Sequence, residues 1–220
     1  MGIKLENLSK TYKTPHKQIE IFRDLSLEIH DKDMFAIFGP SGIGKTTLLN
    51  LIGGIDKPSS GKILIDDVDL SILKSDELAK LRKEKIGFIF QMFNLLPNLK
   101  AKDNIILPIL LDKNMDKKIA RIYEFASEIG IKERLDHLPQ ELSSGEQQRV
   151  AIMRAIINSP SIILADEPTA DLDDANSKKI INILKGLNQK LGSTVVIATN
   201  DEKTASSFPI IYQMKKPLSS

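Results

Sequence analysis

The sequence contains no cysteine. That absence excludes disulfides, thiolate zinc sites and cysteine nucleophiles, and it fits a reducing compartment. No uninterrupted apolar run is long enough to cross a bilayer, and the opening stretch, MGIKLENLSKTY, holds no apolar segment of the secretory kind. A myristoylation motif built on Gly2 would place Ser or Thr where Glu6 stands. The expected location is therefore cytoplasmic. An excess of one charge is missing too: 31 Lys and Arg face 29 Asp and Glu, a net charge of +2. Spread evenly, these charges form no basic patch, so neither nucleic acid nor an anionic membrane surface is expected as the main partner. Internal repeats, low-complexity tracts and long Pro/Gly/Ser linkers are absent as well.

What is present is 220 residues, 41% hydrophobic and 27% charged, which suits one globular domain with a substantial core. Short strand-like runs at Ile3 to Leu8, Ile19 to Ile29 and Lys62 to Asp66 predict an N-terminal antiparallel layer. From Met34 the pattern changes. MFAIF, IGFIF, IILA and TVVIA are compact apolar runs, most followed by helical sequence, as in a parallel α/β sheet covered on both faces. Ile119, Ile122, Ala126 and Ile129, and likewise Ile180, Leu184, Leu187 and Leu191, recur at helical spacing and make apolar stripes. Between Gln91 and Leu142 no strand is readable, which predicts an inserted helical subdomain over roughly residues 92–158.

GPSGIGKTT, which carries Gly39, Pro40, Ser41, Gly42, Gly44, Lys45, Thr46 and Thr47, fits G-x-x-x-x-G-K-[ST]. It follows the strand-like MFAIF and leads into helical LLNLIGG. Glycines let the backbone curl until successive N–H groups point inward, and the helix N-terminus adds partial positive charge, so the loop cradles phosphates. Lys45 is placed to reach the β- and γ-phosphates and the Thr46 hydroxyl to bind Mg²⁺. Kinases, GTPases and motor ATPases share this loop, so it leaves the chemistry open. IILADEP supplies the second element: Asp166 ends a buried strand and is expected to hold the Mg²⁺ shell, while Glu167 beside it can polarise an attacking water.

The stretch LSSGEQQRVAIMRAI, Leu142 to Ile156, narrows the class. It resembles the signature segment of the ATP-binding cassette family, usually L-S-G-G-Q followed by Q-Q-R. Further matches stand in family order: Tyr12, Gln91 at the end of IGFIFQ, Pro168 to Asp173 as PTADLD, and the strand TVVIATND. The resemblance covers nearly the whole chain. It implies a P-loop nucleotide-binding core with a parallel sheet, an antiparallel β layer and a helical subdomain, and an ATPase using ATP and Mg²⁺. Tyr12 would stack on adenine. Gln91 would touch Mg²⁺-bound water and the mobile subdomain. Ser143 and Gly145 would meet the ATP held by a second copy or another cassette, with Asp173 communicating across the dimer. Integral membrane permease subunits would complete the assembly, which places the chain peripherally on the inner face of the cell membrane.

Three departures stand out. Ser144 replaces the first signature glycine and is expected to lose freedom at positive φ. Glu146 replaces glutamine, and its charge would repel phosphate if it pointed there. Asn200 stands where the family has its switch histidine, and none of His16, His30 and His137 can take that place by a small register shift. Asn200 and Asp201 also fit a plain strand-end turn that starts the next helix. As a catalytic residue, Asn200 implies slowed hydrolysis.

FNLLPNLKAKDNIILPILL, after Gln91, resembles cassettes paired with lipoprotein-releasing, macrolide-exporting or cell-division-type permeases, although its leucines equally suit a helical core. The leading expectation is thus the energy-coupling subunit of a transporter. Soluble repair and translation cassettes carry long coiled coils or two cassettes per chain, and neither feature occurs here. The remaining alternative is an ATP-gated regulator, or the weak half of an asymmetric pair, with little intrinsic turnover.

Overall fold

The computed structural model describes residues 2–15, 17–110, 112 and 115–215. Two long strands, β1 (Gly2–Lys13) and β2 (Gln18–His30), pair antiparallel before the chain enters β3 (Met34–Phe38) and helix α1 (Lys45–Ile52). It then returns through β4 (Ser60–Ile65) and the short β5 (Val68–Asp69) to close a four-stranded sheet in the order β2-β1-β4-β5. Helix α2 (Ser75–Lys85) leads into β6 (Ile86–Ile89). Only helices follow among the described residues until the next strand: α3 (Ala101–Ile106), α4 (Met115–Glu128) and α5 (Ser144–Ile156), with short 3-10 turns between them. The chain closes with β7 (Ile162–Asp166), α6 (Asp174–Leu191), β8 (Thr194–Thr199), α7 (Glu202–Ser206) and β9 (Ile210–Gln213). The second sheet has the order β6-β7-β8-β3-β9, and every pairing in it is parallel.

β7 and β8 are buried along their whole length, which is why their sequences are apolar without a polar face. Alternate side chains still go to different sides. Ile163, Ala165, Val195 and Ile197 join the cluster under α3 to α6, whereas Ile162, Leu164, Val196 and Ala198 join the one that packs α1 and the antiparallel layer. The apolar stripes of α4 and α6 face the first cluster through Ile122, Ala126, Ile180, Leu184 and Leu187.

One glycine sets the spacing on that side. A Cβ on Gly87 of β6 would lie 2.4 Å from the Ala155 carbonyl, so only glycine lets α5 come this close to the strand that leads to Gln91. Helix α2 and strands β5 and β9 were not foreseen from the sequence. Helix α2 buries Leu78 alone and so has no apolar stripe to read, and β9 is four residues long with Ile210 and Ile211 exposed.

Candidate nucleotide site

The parallel strands deliver their carboxyl ends to one rim, and β3 continues there into the Gly39–Gly44 loop and α1. Gly44 has φ 109, and a Cβ on it would sit 2.3 Å from Cγ2 of Ile21, so both backbone conformation and space demand glycine. Helix α1 starts without a side-chain cap, which leaves its first N–H groups for a ligand. Lys45 is 5% exposed; its ammonium donates to the carbonyls of Gly39 (2.9 Å) and Pro40 (3.2 Å) and lies 3.2 Å from Glu167 Oε1.

Asp166 closes β7 and is buried. Burial raises its carboxyl pKa, a hydrogen bond with the Thr46 side chain opposes that rise, and the Glu167 charge adds to it. Its Oδ1 is buried with no hydrogen-bond partner. An orphaned carboxylate oxygen beside a hydroxyl at the mouth of a phosphate cradle fits Mg²⁺, which takes one or two protein oxygens and completes its shell with water and substrate phosphates.

Glu167 holds φ 44, an uncommon conformation for a side chain of its size, and its N–H donates to the Ala198 carbonyl (2.8 Å). Its other carboxylate oxygen accepts the N–H of Asn200 at 3.1 Å. The Asn200 amide donates to Ser41 Oγ at 2.9 Å. The polar pair that ends β8 therefore splits its work. Asp201 is a helix cap, accepting from the N–H groups of Lys203 and Thr204, while Asn200 turns to the phosphate loop.

Lys45, Thr46, Glu167 and Asn200 border a cleft of ≈ 410 Å³, which Asp166 does not line. Ser41, Gly42, Gly44, Lys45, Thr46, Thr47, Gln91, Glu167 and Asn200 line it, together with Ile21 and Ala170, which the sequence did not single out. Ile21 belongs to an exposed-edge strand and carries no chemical signal. Of the three histidines, His16 lies outside the described residues, and neither His30 nor His137 lines the cleft.

Tyr12 stands beside this cleft without lining it. Its hydroxyl donates to Asp56 Oδ2 at 2.7 Å, and the Lys10 ammonium, 4.6 Å from the ring centroid, is paired with Asp56 at 2.8 Å. The ring is 40% exposed, held in place by two residues the sequence gave no reason to choose.

Ser143, Gly145 and Asp173 do not line the cleft. Ser143 caps α5 in a reciprocal box with Glu146, and Asp173 caps α6 by accepting the Asn176 N–H (2.7 Å) and amide (2.9 Å). A Cβ on Gly145 would lie 3.0 Å from Asn176 Oδ1, so the two caps form one patch. The strain expected at Ser144 is not there: it is the first residue of α5 and its φ is not positive. Glu146 does not point outward either. Its Oε1 accepts Arg134 Nε at 2.8 Å, and its Oε2 accepts the N–H (2.8 Å) and hydroxyl (2.9 Å) of Ser143. Gln148, buried on the same helix, donates to the Pro168 carbonyl at 2.9 Å and ties α5 to the loop after Glu167.

The Arg134 hydrogen bond, then that from the Ser143 N–H, holds the Glu146 carboxyl down to about 2. A depressed folded-state pKa contributes stability that is complete above the unfolded value near 4.5 and is lost as pH falls towards 2. Glu146→Gln should therefore destabilise the chain at neutral pH, with the difference from the parent shrinking across that window. Urea melts at stepped pH check this; a pH-independent difference contradicts it.

A glycine-rich turn from strand to helix on a parallel sheet, with an acidic strand end beside it, defines a P-loop nucleotide-binding protein. The family model for ABC transporter matches residues 22–170. The uncharacterized ABC transporter ATP-binding protein MJ0796 of Methanocaldococcus jannaschii is 44% identical over 208 residues, 92% of this chain and 88% of its own. The lipoprotein-releasing system ATP-binding protein LolD of Buchnera aphidicola subsp. Schizaphis graminum is 41% identical over 210 residues, 95% and 92% of the two chains. The macrolide export ATP-binding/permease protein MacB of Syntrophobacter fumaroxidans is 40% identical over 209 residues; these are 92% of this chain and only 29% of MacB. A dimeric structure of a post-hydrolysis state of MJ0796, bound to ADP and Pi, matches with TM-score 0.86 and 41% identity over 97% of this chain and 94% of that one. The chain belongs to the ABC transporter family, as an ATP-binding cassette and ATPase. No helix among the described residues is long and apolar enough to cross a membrane.

Proposed function

We propose that this cassette closes with a second copy, or with another cassette, around bound ATP, and that hydrolysis reopens the pair and drives transport through separate membrane-spanning permease subunits. The observation that carries the reading is a division of labour. One chain supplies the phosphate cradle, whereas its Ser143–Asp173 patch lies outside its own cleft and is left for another chain's nucleotide. In this reading Thr46 and Asp166 hold Mg²⁺, with Gln91 reaching a water on it; the ion offsets phosphate charge. Glu167 polarises the attacking water, Tyr12 stacks on adenine, and residues 92–158 move as a helical subdomain. The permease holds the cassette at the inner face of the membrane. Nucleic acid has no part in this scheme.

A regulatory or asymmetric-partner cassette with little turnover is favoured by one observation, Asn200 beside Glu167 and Ser41. Sedimentation of the parent chain and Glu167→Gln tests the pairing step that both readings share. ATP with Mg²⁺, and not ADP, should double the mass of the Gln variant. A monomer at saturating ATP in both chains defeats closure.

A further inference from the structure

Helix α5 carries a cation that the scheme above leaves unused. Arg154 lies half-buried in its last turn, and its Nη2 donates to the Phe93 carbonyl at 2.6 Å while Nη1 donates to the Asn94 carbonyl. Phe93 and Asn94 have φ 56 and 50. Two successive left-handed residues, one of them a phenylalanine, persist only where the surroundings over-determine them. The planar guanidinium presents two N–H donors in a fixed fork, one to each carbonyl. Desolvation alone acts on this guanidinium and lowers its pKa, with no carboxylate among the described residues offsetting it. A cation kept partly out of water for two backbone carbonyls costs stability, so its position calls for another reason.

That reason lies at the two ends of the construction. The turn that Arg154 holds begins at Gln91, which lines the phosphate cleft. The helix that carries it is capped by Ser143 and runs for 13 residues, about 20 Å at 1.5 Å per residue. The C-terminal end of α5 lies so close to β6 that a Cβ on Gly87 would sit 2.4 Å from the Ala155 carbonyl, with Arg154 next to it in sequence. A tilt of α5 about this end would pull on the Gln91 turn. We infer that Arg154 is a positioning residue that clamps this turn to α5, so that capture of another chain's ATP at Ser143 is passed to Gln91. This inference rests on the proposed ATP-bound pair.

The test compares the full chain with Arg154→Met and Arg154→Lys by amide hydrogen exchange with and without ATP and Mg²⁺, alongside steady-state hydrolysis. In the parent chain ATP should slow exchange together at residues 144–148 and at 92–96. In Arg154→Met it should slow only residues 144–148, with kcat down on the order of tenfold and KM within about twofold, a split that lost folding does not produce. Arg154→Lys should fall between them, and it carries the same comparison if the Met variant melts well below the parent. An ATP effect at 92–96 as large in the Met variant as in the parent, or an unchanged kcat, overturns the role of Arg154 alone. No ATP effect at 144–148 in the parent chain overturns the paired-cassette reading beneath it.

Discussion

Asn200→His should raise the single-turnover rate of ATP hydrolysis by about a hundredfold, with KM little changed. The argument is geometric. The Asn200 backbone N–H touches Glu167 and its amide touches Ser41, so residue 200 already stands between the proposed base and the phosphate loop. An imidazole grafted there keeps the backbone contact and adds a longer donor that can carry charge towards the γ-phosphate. Removing a positioned transition-state donor typically costs ~2.7–4 kcal/mol, roughly a hundred- to thousandfold in rate. Asn200 retains one donor and hence part of that stabilisation, so Asn200→Ala should be slower than the parent. Rapid-quench measurements decide the matter: equal rates in the parent and the His variant would show that the amide already does the work of the ring.

Glu167→Gln should lower hydrolysis by a factor on the order of 10²–10⁴ while ATP still binds, because it keeps the shape of the side chain and removes the carboxylate proposed to polarise water. The change also ends the 3.2 Å ion pair with Lys45. A nearly buried ammonium that loses its carboxylate gains from a phosphate neighbour, so ATP should bind the Gln variant at least as tightly as the parent. Glu167→Gly, which accepts φ 44 without strain, should lose hydrolysis as the Gln variant does, separating the carboxylate from the backbone turn. Calorimetric titration with ATP and a phosphate-release assay give both quantities. A Gln variant hydrolysing within a few-fold of the parent would exclude Glu167 as the base.

The parts of this molecule that were legible in its sequence are those where chemistry limits the choice of residue. The phosphate loop could be read because Gly44 has no room for a Cβ, and the acidic strand end because a carboxylate at the end of IILAD has few other uses there. The parallel strands were legible as apolar runs, since both of their faces are covered. Geometry that depends on distant pairing was not legible. Arg134 lies 12 residues from Glu146, and only the fold shows that it pairs with the carboxylate while Ser143 donates to the same carboxylate's other oxygen. Lys10, Tyr12 and Asp56 meet across two segments, and Ile21 reaches Gly44 from another sheet. Strand β9 was missed because its short run ends on an edge with two isoleucines in solvent, and α2 because its sequence is almost entirely polar.

The contact between Lys45 and Glu167 also sets two proposed roles in competition. The Lys45 ammonium lies 3.2 Å from Glu167 Oε1 and donates to the carbonyls of Gly39 and Pro40, while Glu167 Oε2 accepts the Asn200 N–H. If Lys45 serves the phosphates, a ligand whose negative charge reaches along the loop should draw it off the carboxylate, and a triphosphate should do so better than a diphosphate, one group shorter. On these roles the fuel would arm the group that consumes it.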